Sequence, residues 1–229
     1  MLRLQATTSR LPTKSPLLAL PQEILSSTLF PYLQPRSVWR ISVLCLGMRI
    51  TVATATEYWK NILQQSILPT RTTDSVPFYD WINKECSYSL VSTSWNLLKS
   101  NGCLSELQRS SLLPPTSLKV IIKIEKKMNV RFPIDVVISL TKFHNGQSTT
   151  RRQGSQFTGD FFMIPITDMP LIQKTQFERG FKKEFIPLFV DSSHQKLICY
   201  DLNCTEICMW SPLTRHFCAK RWSTFLKPE

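Results

Sequence analysis

Apolar residues recur at helical spacing early in the chain, in "LPQEILSSTLFPYLQPRSVWRISVLC" (20–45). Pro21 suits the first turn of a helix, and Ile24, Leu25, Thr28 and Leu29 fall on one face. Pro31 is expected to stop that helix, and Gln34-Pro35 to form a turn. Ser37 then caps a second helix carrying Val38, Ile41, Leu44, Cys45 and Met48. A third helix around 57–66 brings Tyr58, Trp59, Ile62 and Leu63. Helices this short are marginal alone and need a packed partner. The stretch "LPTRTTDSVP" (68–77) reads as a linker. Residues 78–99 read as helical, anchored by Phe78, Trp81, Ile82, Trp95, Leu97 and Leu98, and stopped at Asn101-Gly102.

After Pro114-Pro115 the pattern changes. Leu118, Ile121, Ile122, Glu125 and Met128 describe one amphipathic helix, with Lys119, Lys123, Lys126 and Lys127 on its wet sides. Phe132-Pro133 restarts the chain into a helix bearing Val136, Val137, Leu140 and Phe143. That helix ends at "HNG", where Gly146 is expected to supply a left-handed cap. Residues 147–160 are polar and read as a mobile loop. Four strand-like runs follow: "FFMIPI" (161–166), "FIPLFV" (185–190), "LICYDL" (197–202) and "EICMW" (206–210), the last two joined by a hairpin at Asn203-Cys204-Thr205. "RWSTFL" (221–226) reads as a short closing helix. The expected fold class is α+β: a small all-α module at 17–67, a linker at 68–77, a helical bridge at 78–114, and an α+β domain with an antiparallel sheet at 115–229.

Composition narrows the partners. The chain has 229 residues, 42% of them hydrophobic, enough to bury a core. No stretch approaches the ~20 consecutive apolar residues that span a bilayer, so no membrane is expected as partner. The net charge is +12, which favours an acidic partner without choosing its kind. Residues 1–69 hold seven Lys/Arg and two Asp/Glu, so the basic balance is denser there. Residues 1–16 read as a basic flexible arm. With no acid before Glu23 they also carry the marks of a mitochondrial transit peptide, but Pro12 and Pro16 interrupt an amphipathic helix. An odd count of seven cysteines, with no secretory leader, points to reduced thiols in the cytoplasm or nucleus.

The N-terminal pattern resembles an F-box: Leu-Pro, a short helix, a turn, a Ser-led second helix and a late Tyr58-Trp59, across 17–66. Met48-Arg49 stands where F-boxes often carry Trp. Residues 116–227 are similar to a SUKH domain (cell-wall-regulator and immunity-protein-like) in the order of the amphipathic helix, "FPIDVVISLTKFHNGQ", "FIPLFVD", "LICYDLN", "ICMW" and "RWSTFL". The combination is similar to F-box-only proteins that join these modules. Those also carry an ApaG-type β-domain, which no stretch here resembles. The resemblance implies a substrate-receptor subunit of a ubiquitin ligase. The F-box would dock on a Skp-type adaptor, and through it a cullin–RING complex, while the second domain recruits a protein substrate. Leu20, Pro21, Ile24, Leu25, Leu33, Val38, Ile41 and Trp59 are the candidates for the adaptor face. The competing assignment is the module's own core, which suits Ile41, Leu44 and Ile62 best, whereas Leu20, Pro21 and Ile24 suit the interface. For the substrate, His144, Asn145, Gln147, Arg151 and Arg152 are the candidates, because recognition concentrates on loops held by a scaffold.

Other chemistries compete less well. Cys199, Cys204 and Cys208 followed by His216 and Cys218 invite a zinc reading, but no C-x2-C knuckle is present, and strand cysteines serve as small buried hydrophobes. No nucleophile and acid complete a triad with His144, and no phosphate-binding glycine loop or HExxH occurs. Neither cofactor nor metal is expected, and the chain is read as non-catalytic. Lys119, Lys123, Lys126, Lys127 and Arg131, with Arg151-Arg152, could instead contact the phosphates of nucleic acid. A stand-alone protein-binding module that engages no adaptor is the third reading.

Overall fold

Ile24 and Leu25 are wound helically in a computed structural model that describes residues 20–21, 24–42, 46–65, 77–100, 103–148, 156–220 and 222–226. The basic arm at 1–16, Leu44, Cys45, residues 68–76 of the expected linker, Asn101-Gly102, Arg151 and Arg152 lie outside the described residues. A wide π-type turn over Leu25–Leu29 tightens into a 3-10 turn over Phe30–Tyr32. Pro31 therefore does not stop the winding. It sits in the first turn of the 3-10 segment, where its missing N–H costs nothing.

Helix α1 (Pro35–Ser42) begins three residues earlier than expected. Pro35 enters the first turn, and the Gln34 carbonyl accepts from Ser37 N at 2.8 Å and Val38 N at 3.1 Å, so Ser37 lies inside the helix. The single helix expected through Met48 is divided: Met48 belongs to α2 (Leu46–Thr54), followed by α3 (Thr56–Gln65). Helix α4 (Pro77–Ser100) is as expected.

Contacts group the chain into two units, Met1–Asn83 and Lys84–Glu229, and α4 begins in the first and ends in the second. The core of the N-terminal unit joins Leu25, Phe30, Val38, Met48, Val52, Trp59 and Leu63 to Phe78 and Trp81. Trp59 is its centre. Its indole N–H donates to the Val52 carbonyl at 2.6 Å, and its ring lies 5.1 Å from Phe78 and 4.9 Å from Trp81. Such pairs add ~0.5–1.5 kcal/mol beyond area burial. The hydroxyl of Tyr58 donates to the Leu33 carbonyl at 3.2 Å, and burial pushes its pKa up to about 12.

In the C-terminal unit, α5 (Glu106–Ser111) opens with a reciprocal cap between Ser105 and Gln108. Helices α6 (Leu118–Met128) and α7 (Ile134–Lys142) follow, then β1 (Phe161–Met163), α8 (Met169–Phe177), β2 (Phe185–Asp191), β3 (Leu197–Asp201), β4 (Glu206–Trp210), β5 (Arg215–Ala219) and α9 (Trp222–Phe225). The five strands form an antiparallel meander in chain order. Every residue of β2 is buried, and α8 packs on it. Pro187 interrupts no ladder, because the register shifts there by a bulge. Trp222 N donates to Asp135 Oδ2 at 3.1 Å, tying α9 to the start of α7.

The molecule is thus α+β with an antiparallel sheet; among the described residues α2, α8 and β5 were not expected, whereas α5 falls within the expected helical bridge. In α6, Ile124 rather than Ile122 joins the buried side with Ile121, Glu125 and Met128.

Candidate functional site

Two groups of side chains carry the functional question, one in each unit. In the first, Leu25 N donates to the Pro21 carbonyl at 3.2 Å, which holds Pro21 at the entrance to the helical segment. Leu20, Pro21 and Ile24 stand at i, i+1 and i+4 there, and all three are exposed, Ile24 by 45%. Tyr32 is 86% exposed, and Trp39 is exposed on α1.

The other adaptor candidates are placed differently. Leu25, Val38 and Trp59 are buried in the N-terminal core, so they support the surface from beneath and cannot touch a partner. Leu33, Ile41 and Ile62 pack partly against that core. Met48, standing where F-boxes often carry Trp, is a core residue. Tyr32 and Trp39 were not anticipated. For Trp39 a signal existed, since it falls beside, not within, the stripe of Val38, Ile41 and Ser42 on a helical projection.

The second group lies where α7 ends. Helix α7 closes at Lys142, and Phe143 takes the cap position. Gly146 is therefore not the helix cap. It has φ +87, and an added Cβ would lie 2.5 Å from Pro165 N and 2.6 Å from Ile164 C, so the position takes glycine because backbone meets backbone. His144 turns inward against Trp95, with ring centroids 4.6 Å apart. Its Nδ1 accepts from Gly146 N at 2.9 Å, which leaves the proton on Nε2, 3.1 Å from Ser139 Oγ. The indole N–H of Trp95 donates to the same hydroxyl at 2.7 Å. Burial, and secondarily the Lys99 charge, push the histidine pKa down to about 3. His144 is a neutral strut cut off from solvent.

Its neighbours are equally committed. Asn145 N donates to the Leu113 carbonyl at 3.0 Å, and Asn145 Oδ1 accepts from Ile166 N at 3.3 Å. Gln147 Oε1 accepts from Met163 N at 2.7 Å while its Nε2 donates to Ser111 Oγ at 2.9 Å. His144 and Gln147 are buried; His144 is tied to α7, Gln147 joins the end of α5 to β1, and Asn145 holds Ile166 beyond β1. The His144 ring and the Gln147 amide are thus committed to partners inside the protein, whereas Asn145 is only half-buried. Gln147 and Ser148, expected in a loop, are held by backbone bonds from Gln147 N to Met163 O and from Ser148 N to Ser111 O.

The basic stripe is on the surface as expected: Lys119, Lys123, Lys126 and Lys127 are exposed on α6, with Ile122 among them. Cys199 and Cys208 are buried and directly paired across β3 and β4. Among the described residues no group of three or more His, Cys, Asp or Glu is arranged to hold a metal ion. Among the same residues no helix is long and apolar enough to cross a membrane.

No protein-family model matches the chain, and no curated protein matches it significantly.

Proposed function

We propose that the chain is the substrate-receptor subunit of a Skp–cullin–F-box ubiquitin ligase. The N-terminal unit, an F-box-like module, docks on a Skp-type adaptor, and the SUKH-like C-terminal unit presents a protein substrate. The bond-making chemistry of ubiquitin transfer belongs to other subunits. One observation supports this above others: Leu20, Pro21 and Ile24 stay in water at the entrance of a helical unit whose core is already filled. Burying each large apolar side chain contributes ~1.5–3 kcal/mol. Leu20 and Ile24 together supply only ~3–6 kcal/mol, near the low end of the ~4–15 kcal/mol that association costs, so exposed Tyr32 and Trp39 are proposed to share the docking face.

Co-expression with a Skp-type adaptor should yield a stable complex that Ile24→Asp abolishes while the variant stays folded by circular dichroism. Absence of a complex at micromolar protein overturns the reading. Leu25→Asp would not serve, because Leu25 is a core residue whose charge would unfold the unit.

A second reading rests on α6. Its solvent side carries four lysines, and its one acid, Glu125, is buried, with Oε1 accepting from Phe132 N at 2.6 Å. An unopposed row of cations of this kind suits phosphates.

A further inference from the structure

We propose that Cys199 and Cys208 form a dithiol oxidation site, which hydrogen peroxide converts into a disulfide between β3 and β4 with Arg215 activating the Cys208 sulfur. The inference goes beyond the ubiquitin-ligase reading and does not depend on it. Its basis is the register: Cys199 stands directly opposite Cys208, and their sulfurs lie 3.4 Å apart. Directly opposed residues of an antiparallel pair have Cα atoms ~4.5–5.5 Å apart, inside the range a disulfide needs. Only the sulfurs must close, toward ~2.05 Å.

Inert strand cysteines lie among apolar groups, whereas a charged cluster adjoins this pair. Arg215 Nη2 sits 2.6 Å from Asp201 Oδ2 and 3.0 Å from Cys204 Sγ, and its positive charge acts on Cys208. Cys204 Sγ in turn is 3.2 Å from Asp201 Oδ2. Asp201 is buried, whereas the side chain of Arg215 is 42% exposed, so this charged cluster reaches from the buried sheet to solvent. The division of labour follows from this asymmetry. The hydrogen bond with Cys199 holds the Cys208 pKa below the ordinary thiol value against the opposing effect of burial, and Arg215 adds to the lowering. Cys199, bonded to Cys208 and deeply buried, is pushed up and keeps its proton. A thiolate beside a cation is the reactive form.

The reaction balances in two displacements. The Cys208 thiolate attacks one peroxide oxygen; an S–O bond forms, the O–O bond breaks, and the departing hydroxide takes a proton to become water. Cys199 then gives up its proton and attacks the Cys208 sulfur. The S–S bond forms, the S–O bond breaks, and the second hydroxide leaves as water. Two thiols are oxidised and one peroxide is reduced.

The test uses the full chain with hydrogen peroxide at neutral pH, followed by alkylation and non-reducing peptide mapping. Exposed Cys86 and Cys103 serve as internal references. The expected product is a Cys199–Cys208 disulfide that forms before either reference is oxidised. Arg215→Gln should slow it about tenfold, and Cys204→Ser should leave the product unchanged. In Cys199→Ser, Cys208 should accumulate as a dimedone-reactive sulfenic acid. A disulfide that runs through Cys204, or reference cysteines that oxidise while Cys199 and Cys208 stay reduced, overturns the proposal. Both are read on the wild-type chain, so the outcome does not hang on a variant folding.

Discussion

His144 shows how one side chain is fixed by what surrounds it. Trp95, Ser139 and Gly146 supply a ring face, a hydroxyl and an amide donor, and burial removes the option of a charge. The folded pKa lies near 3 and the unfolded value near 6.5, so between them only the unfolded chain takes up a proton. This contribution to stability is fully present above pH 6.5 and is lost at about 1.4 kcal/mol per unit as the pH falls below it. Urea denaturation from pH 7 to pH 5 should therefore show a loss of roughly 2 kcal/mol. His144→Gln should flatten that slope. Asp191 does not confuse the measurement. Burial acts to raise Asp191, but hydrogen bonds from Ser193, Lys196 and Gln195 hold it below its ordinary value, so its effect begins at lower pH.

At the scale of elements, α6 and the opening helical segment each mix what periodicity reveals with what it hides. In α6 the spacing of apolar residues finds the helix, and the exposed lysines locate its wet side. Yet Ile122 and Ile124 both suit an apolar stripe, and only packing against α7 and α8 decides between them. Ile124→Ala should cost about 2–4 kcal/mol in a urea unfolding series, whereas Ile122→Ala should stay within about 0.5 kcal/mol. Around Pro31 the rule that proline ends a helix missed the change of winding, since a 3-10 turn accepts proline in its first turn. The capping pair Ser105 and Gln108 of α5 was visible as S-x-x-Q and went unused. Strand β5 offers no comparable signal, because four of its five residues are exposed and it is ordered by pairing with β4.

For the whole molecule, the sequence was most informative where an element's partner lies nearby in the chain. The β3–β4 hairpin and the meander were legible for that reason. Trp59 was not legible as core, because Phe78 and Trp81 reach it from beyond the expected linker. The inward commitment of Gln147 was hidden for the same reason: its partners are Ser111 and Met163, far away along the chain. Net charge is also a property of this scale. With +12 overall, weak association with any polyanion is expected, so only its dependence on α6 is informative. If α6 reads phosphates, a double-stranded DNA or RNA probe should shift at low salt and release at about 0.2 M salt, and Lys119→Glu with Lys123→Glu should remove the shift. The same double variant should leave the adaptor complex intact. A shift unchanged by those substitutions assigns the effect to bulk charge.

The contact of Gly146 with Ile164 and Pro165 has a consequence for kinship. Overall identity is a poor guide to descent once surface residues have drifted, but two backbones in van der Waals contact admit no side chain between them. A distant relative built the same way should keep glycine at this point, two places after a buried imidazole whose acceptor nitrogen takes its amide proton. A sequence that aligns well elsewhere but puts alanine there must have parted those two segments, and its ancestry should be judged by that gap.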